Sequence, residues 1–131
     1  MKHLNWCKTA RQKQITPKGD WNVWLILAGR GWGKTRTGAQ DIAFYGLTRP
    51  NSRIAIVTPT FGDGRDTCIE GVSGLLGCID TDNIENWNRS IGELTLKNGT
   101  IYKTFSAEQP DRLRGPQFHR AWCDELGSWK N

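Results

Sequence analysis

Eight consecutive residues, Ala28-Gly29-Arg30-Gly31-Trp32-Gly33-Lys34-Thr35, constrain the fold more than any other part of the chain. They follow a nearly continuous apolar run, residues 21–28 (WNVWLILA), which suits a strand buried on both faces. They precede residues 35–48, where Ala39, Ile42, Ala43 and Leu47 recur at helical spacing. Strand, glycine-rich turn and helix in that order make a cradle for a polyphosphate. Glycines let successive backbone N–H groups curl around an anion without Cβ clashes, and the helix aims its positive dipole end at the same point. Lys34 would then reach the β- and γ-phosphates, and the Thr35 hydroxyl would ligate Mg²⁺. Gly29, Arg30, Gly31, Trp32 and Gly33 complete the predicted nucleotide-binding loop. The pattern G-x-x-x-x-G-K-[ST] asks for glycine at position 28, where this chain has alanine, the smallest residue that carries a Cβ.

A second constellation lies near the other end. His119-Arg120-Ala121-Trp122-Cys123-Asp124-Glu125 sets two carboxylates after a short apolar stretch, 121–123, read here as a strand. Beside a phosphate loop, two adjacent carboxylates can divide two tasks: Asp124 holding the metal and Glu125 polarising the attacking water. The Gly-Pro loop just upstream carries Arg112 and Arg114. An arginine there, inserted into a neighbouring copy's site, would stabilise charge on the transferring phosphoryl group. Spacing alone favours an ordinary solvated loop arginine.

With 131 residues the chain has the size of one domain. The remaining pattern agrees with an α/β domain. Residues 1–20 read as a polar, basic and loosely ordered lead-in ending in the turn cluster 16–20. Arg53–Thr58 (RIAIVT) reads as a second buried strand. The span 62–77 is a weak helix candidate because of its glycines. Residues 93–97 and 100–106 form a hairpin through Asn98-Gly99, the favoured two-residue turn. The net charge of +5 is uneven: the first 36 residues carry eight Lys/Arg against one Asp. A basic front suits phosphate or nucleic acid, and it equally suits a solvated arm. Four scattered cysteines without a C-x-x-C pair, and only two histidines, argue against a zinc site or a disulfide scaffold. No apolar run reaches the roughly 18 residues that span a bilayer. A reduced, cytoplasmic protein is expected.

Taken together, these motifs resemble the large terminase subunit of tailed bacteriophages, the motor that packages DNA into procapsids. Besides the glycine-rich loop, the resemblance rests on Thr58-Pro59-Thr60 after the second strand and on the Asn98-Gly99 hairpin. It rests also on Leu113-Arg114-Gly115-Pro116-Gln117 leading into Trp122-Cys123-Asp124-Glu125. It covers roughly residues 21–129. It implies a P-loop NTPase fold of the ASCE type, a mostly parallel sheet flanked by helices with a β-hairpin insertion. Residues 1–20 would be the basic arm, and 21–131 a partial ATPase domain without the family's nuclease domain.

The resemblance also implies roles. Lys34 and Thr35 would bind ATP and Mg²⁺, Asp124 would hold the metal, and Glu125 would be the catalytic glutamate. Arg30 matches a basic position thought to couple to the nucleotide, and Arg114 matches the finger proposed to act on the adjacent subunit of a ring. The partners implied are double-stranded viral DNA, further copies in the ring, a small terminase subunit and the portal and procapsid, with no membrane, in the host bacterial cytoplasm. Gln12, Gln14 and Trp21 are candidates for contacting adenine. In the family's sheet, a strand supplied from beyond residue 131 lies between the loop strand and the acidic-pair strand. The sheet of this chain is therefore expected to lack a central strand. Two other readings stay open: a different P-loop ATPase such as a superfamily 2 helicase, and a non-catalytic prophage remnant.

Overall fold

The computed structural model describes residues 2–26, 32–113 and 117–125. Helix α1 (Lys2–Thr9) and a 3-10 turn (Gln12–Gln14) lead to helix α2 (Lys34–Thr48). Strand β1 (Arg53–Thr58) follows, then one α-helical turn (Phe61–Asp63) that runs into a π-helix (Gly64–Ile69). Two further 3-10 turns precede the strands β2 (Ile84–Asn88), β3 (Glu93–Leu96) and β4 (Ile101–Ser106). Strand β5 (Arg120–Cys123) comes last. The sheet order is β2-β3-β4-β1-β5. It is parallel where β4, β1 and β5 lie side by side, with Ile54 opposite both Tyr102 and Arg120. The β2–β3–β4 portion is an antiparallel meander.

The main core lies between α2 and one sheet face. Ala39, Ile42 and Ala43 meet Ile54, Ile56, Leu94, Leu96 and Tyr102, and Ile69, Leu75 and Ile79 close the side. A smaller cluster of Ala55, Val57 and Phe105 fills the other face, with Phe118 against it. β1 is buried at five of its six positions, as an apolar strand paired on both sides should be. The helix and sheet approach closely because two of the α2 residues are glycines. A Cβ on Gly46 would overlap the Tyr102 hydroxyl, which donates to the Ile42 carbonyl at 2.9 Å. A Cβ on Gly38 would overlap the Trp122 ring of β5.

Several sequence expectations need correction. Residues 21–26 form no strand, although the run is apolar. β5 is the edge of the described sheet, and its pairing is with β1. No strand among the described residues lies where it could pair with 21–26, and without a ladder an apolar sequence does not become a strand. Val23 and Leu25 are 79% and 61% exposed. A cleft of about 990 Å³ separates this segment from β5, where the sequence reading places the missing central strand. The lead-in is not loose: α1 lies against α2, and Gln14 is buried. The 62–77 helix is broken into short pieces. Gly64 approaches Thr104, and the turns at Gly71 and Gly74 bring backbone carbonyls within 3 Å of where a Cβ would sit. β2 was not anticipated. It is a polar, mostly exposed strand (IENWN) with a bulge between Ile84 and Asn86, so alternation is lost.

Candidate nucleotide-binding site

Helix α2 begins at Lys34, one residue ahead of the helical spacing read over 35–48, with Thr35 as its second residue. Gly33 precedes it in the left-handed region at φ 88°, which glycine adopts without strain. The Gly33 carbonyl accepts from the Thr37 N–H at 2.9 Å and from the Thr37 hydroxyl at 2.8 Å, which fixes the first turn. No side chain caps this end, and its first turn carries no acidic residue. The leading N–H groups of a helix lack intrahelical partners, so an uncapped end without acid suits an incoming anion. The predicted loop residues Gly29, Arg30 and Gly31 lie outside the described residues, as does Arg114.

The lead-in reaches this loop in a way the motifs did not reveal. Gln14 Nε2 donates to the Trp32 carbonyl at 2.8 Å, and the Arg11 guanidinium also donates to that carbonyl. Arg11 lies 5.3 Å from the Trp32 ring centroid, a cation–π distance. A Cβ on Gly33 would come within 2.7 Å of Gln14 Nε2, the far end of a flexible side chain, so it is the positive φ that calls for glycine here. The sequence offers Gln14 as a candidate for a different task, base contact. Its described partners are backbone atoms of the arm and the loop.

The acidic pair follows β5 directly. The Asp124 N–H donates to the Val57 carbonyl at 2.9 Å, tying the residue to the end of the neighbouring β1. Glu125 adopts φ 55°, left-handed and costly for a side chain with a Cβ. Burial pushes the Asp124 carboxyl above the usual carboxylate range, and the adjacent Glu125 charge adds to this. The Cys68 thiol, the local backbone and the Lys34 ammonium oppose the rise. Cys68 Sγ donates to Asp124 Oδ2 at 3.6 Å from the π-helix. Burial and the nearby Asp124 drive that thiol far above its ordinary value. No sequence signal marked Cys68.

Lys34, Asp124 and Glu125 line one cleft, together with residues 21–26. Ninety residues of sequence thus close on one another because α2 packs on β5 through Gly38 and Trp122. The cleft is also pinned at its outer end. Arg120 makes a paired bond to Asp41 of α2 at 2.8 and 2.9 Å and stacks between Trp21 (4.7 Å) and Tyr45 (4.6 Å). Thr16 donates to the same Asp41 at 2.7 Å.

The oxygen donors that the sequence assigns to a divalent cation are the Thr35 hydroxyl, on the first turn of α2, and the Asp124 carboxylate, in the cleft. Among the described residues no group of three His, Cys, Asp or Glu side chains could hold a metal by itself. That donor set fits Mg²⁺, which keeps waters and substrate phosphates in place of a full protein cage. No described helix is long and apolar enough to cross a membrane.

Residues 25–131 match the family of large terminase subunits, T4likevirus-type, in their N-terminal region. No curated protein matches the chain. Among solved structures, the fold is similar to the large terminase ATPase domain of Thermus phage P74-26, with a TM-score of 0.62 at 21% identity. That match covers 78% of this chain and 47% of the other. An arginine-to-alanine mutant of the same ATPase domain gives a TM-score of 0.59 at 21% identity, over 74% and 45% of the two chains. The chain therefore spans about half the length of the solved domain it resembles.

Proposed function

From the chain's membership of the T4likevirus-type large terminase subunits, in their N-terminal region, we propose that it binds and hydrolyses ATP to drive viral double-stranded DNA into a procapsid. The observation that carries this reading is the convergence of Lys34, at the uncapped start of α2, with Asp124 and Glu125 in one cleft. Residues 21–131 are part of the ATPase domain, and 1–20 are an arm that braces the phosphate loop.

In this mechanism the α2 N-terminus and Lys34 bind the β- and γ-phosphates of ATP, with Gly29 to Gly33 wrapping them. Thr35 and Asp124 would hold Mg²⁺, which would supply positive charge against the phosphates. Glu125 orients the attacking water and takes its proton. Arg30 senses the nucleotide, and Arg114 of a neighbouring copy completes the site in a ring. DNA is gripped through its backbone charge, independent of sequence. The small terminase subunit, the portal and the procapsid are the remaining partners, in the host bacterial cytoplasm.

One observation favours a dependent activity: residues 21–26 lead into the phosphate loop without a ladder to hold them. The 131-residue chain alone is then expected to bind ATP and turn it over slowly or not at all, until a strand enters the cleft. The test is MgATP binding and turnover by the purified chain, with circular dichroism as the folding check. Lys34→Ala should abolish nucleotide binding, and Glu125→Gln should retain binding and lose whatever turnover exists. Equal loss of binding in both variants would refute the assigned roles.

A further inference from the structure

The π-helix after β1 has no role in the proposed mechanism, yet it carries a buried thiol that touches the acidic pair. Cys68 is 0% exposed, and its Sγ donates to Asp124 Oδ2 at 3.6 Å. We propose that Cys68 is a positioning residue that aims the Asp124 carboxylate at the metal. This inference rests on the reading of Asp124 as the metal-holding group.

Three features support it. First, Asp124 lies one residue beyond the end of β5, so the ladder fixes its backbone through the bond to Val57 but leaves its side-chain rotamer to other partners. Second, Cys68 is set on a rigid support. Its helix packs against β1, β4 and α2, and Cys68 belongs to the main core cluster with Ile69 and Leu75. Third, the wide turn is closed by the Glu70 N–H to Arg65 carbonyl bond at 3.0 Å, a five-residue step that an α-helix does not make. Such a step rotates the residues it contains relative to a regular helix, and π-turns recur at functional sites for that reason. A thiol is suited to the position because it packs as a small apolar group and still donates a weak hydrogen bond. Groups that orient a metal-holding side chain from behind typically change metal affinity about 10- to 100-fold when removed.

The experiment measures ATP affinity of the full 131-residue chain with and without Mg²⁺, using a fluorescent ATP analogue and circular dichroism as the folding check. Cys68→Ala should weaken the Mg²⁺-dependent affinity about tenfold and leave the metal-free affinity unchanged. Cys68→Ser, which keeps a donor, should recover most of the loss. In an Asp124→Asn background, Cys68→Ala should cost nothing further, because the two act as one unit. A folded Cys68→Ala chain with wild-type Mg²⁺ dependence overturns the proposal, and so does an additive loss in the double variant. A wild-type chain whose ATP affinity ignores Mg²⁺ instead refutes the role of Asp124 itself. If Cys68→Ala fails to fold, Cys68→Val fills the site with a somewhat larger apolar side chain that lacks the donor. Should both fail, the S–H infrared stretch of the otherwise native chain decides: it should shift on Asp124→Asn, and a stationary band overturns the contact.

Discussion

Gly38→Ala tests whether the two halves of the site are held together by one close approach. A Cβ at position 38 would meet Trp122 Cζ2 at 2.7 Å, with Cε2 and Nε1 closer still. Ordinary carbon contacts lie at about 3.5–4.0 Å and the nearest ring atoms at 2.3 Å, so the helix and the ring must separate by roughly 1.2–1.7 Å. The ring has little room to yield, because Trp122 is 9% exposed and belongs to the core cluster with Ala39, Ile54 and Ile56. Overpacking of this kind costs about 1–3 kcal/mol, and the upper half of that range applies to a ring so enclosed. Replacing glycine by alanine inside a helix returns about 1 kcal/mol. The net expectation is a destabilisation of about 1–2 kcal/mol, or a fall in Tm of about 4–8 °C for a domain of this size. Urea unfolding followed by circular dichroism reads the first, and a thermal melt the second. MgATP affinity should fall as well, since Lys34 and Asp124 sit on the two elements being pushed apart. Trp122→Phe provides the control: in that background Gly38→Ala should be neutral or stabilising by up to about 1 kcal/mol. A Gly38→Ala chain more stable than wild type, or the same effect in both backgrounds, would refute the reasoning.

Two further outcomes follow from the polar groups around the cleft. Asp124→Asn should raise the Tm of the nucleotide-free chain at neutral pH, because burial and Glu125 disfavour the ionised carboxyl. A carboxyl whose pKa is raised on folding leaves the native state holding a proton that the unfolded state releases. The destabilisation is absent below the ordinary carboxylate pKa, grows as pH rises toward the raised value and is complete above it. The advantage of Asn should therefore vanish in acid, and a pH-independent difference in melting between the two chains would contradict this. Arg120→Ala removes the paired bond to Asp41 and both aromatic stacks, leaving a mostly buried carboxylate with Thr16 as its remaining described partner. A loss of about 2–3 kcal/mol in chemical unfolding is expected, and Arg120→Lys should recover only a minor part because a point charge cannot reproduce the fork or the stacking.

Local chemistry was legible without the fold. β1 spans the RIAIVT run, the Asn98-Gly99 turn joins β3 to β4, and α2 starts at Lys34, because apolar periodicity and glycine punctuation act over a few neighbouring residues. The acidic pair could be placed after a short strand for the same reason, even though three apolar residues are a thin signal. The run at 21–26 misled because a strand is a property of a pair. Its sequence matches that of a buried strand, but the described sheet has no ladder for it beside β5. The arm misled in the opposite sense. Its residues are polar, yet Gln14 is buried, since its amide takes part in backbone bonds on both sides and so satisfies its polar atoms.

By itself, then, the sequence determined the chemistry that each end of the chain could bring: a glycine-flanked lysine at a helix start, and two adjacent carboxylates after a strand. Only the tertiary structure decided that they meet. Gly38 lets α2 settle on Trp122, which brings the two ends into one cleft, and Cys68 reaches Asp124 across 56 residues of sequence. Such contacts depend on packing between distant elements, and no local pattern of residue types carries that information.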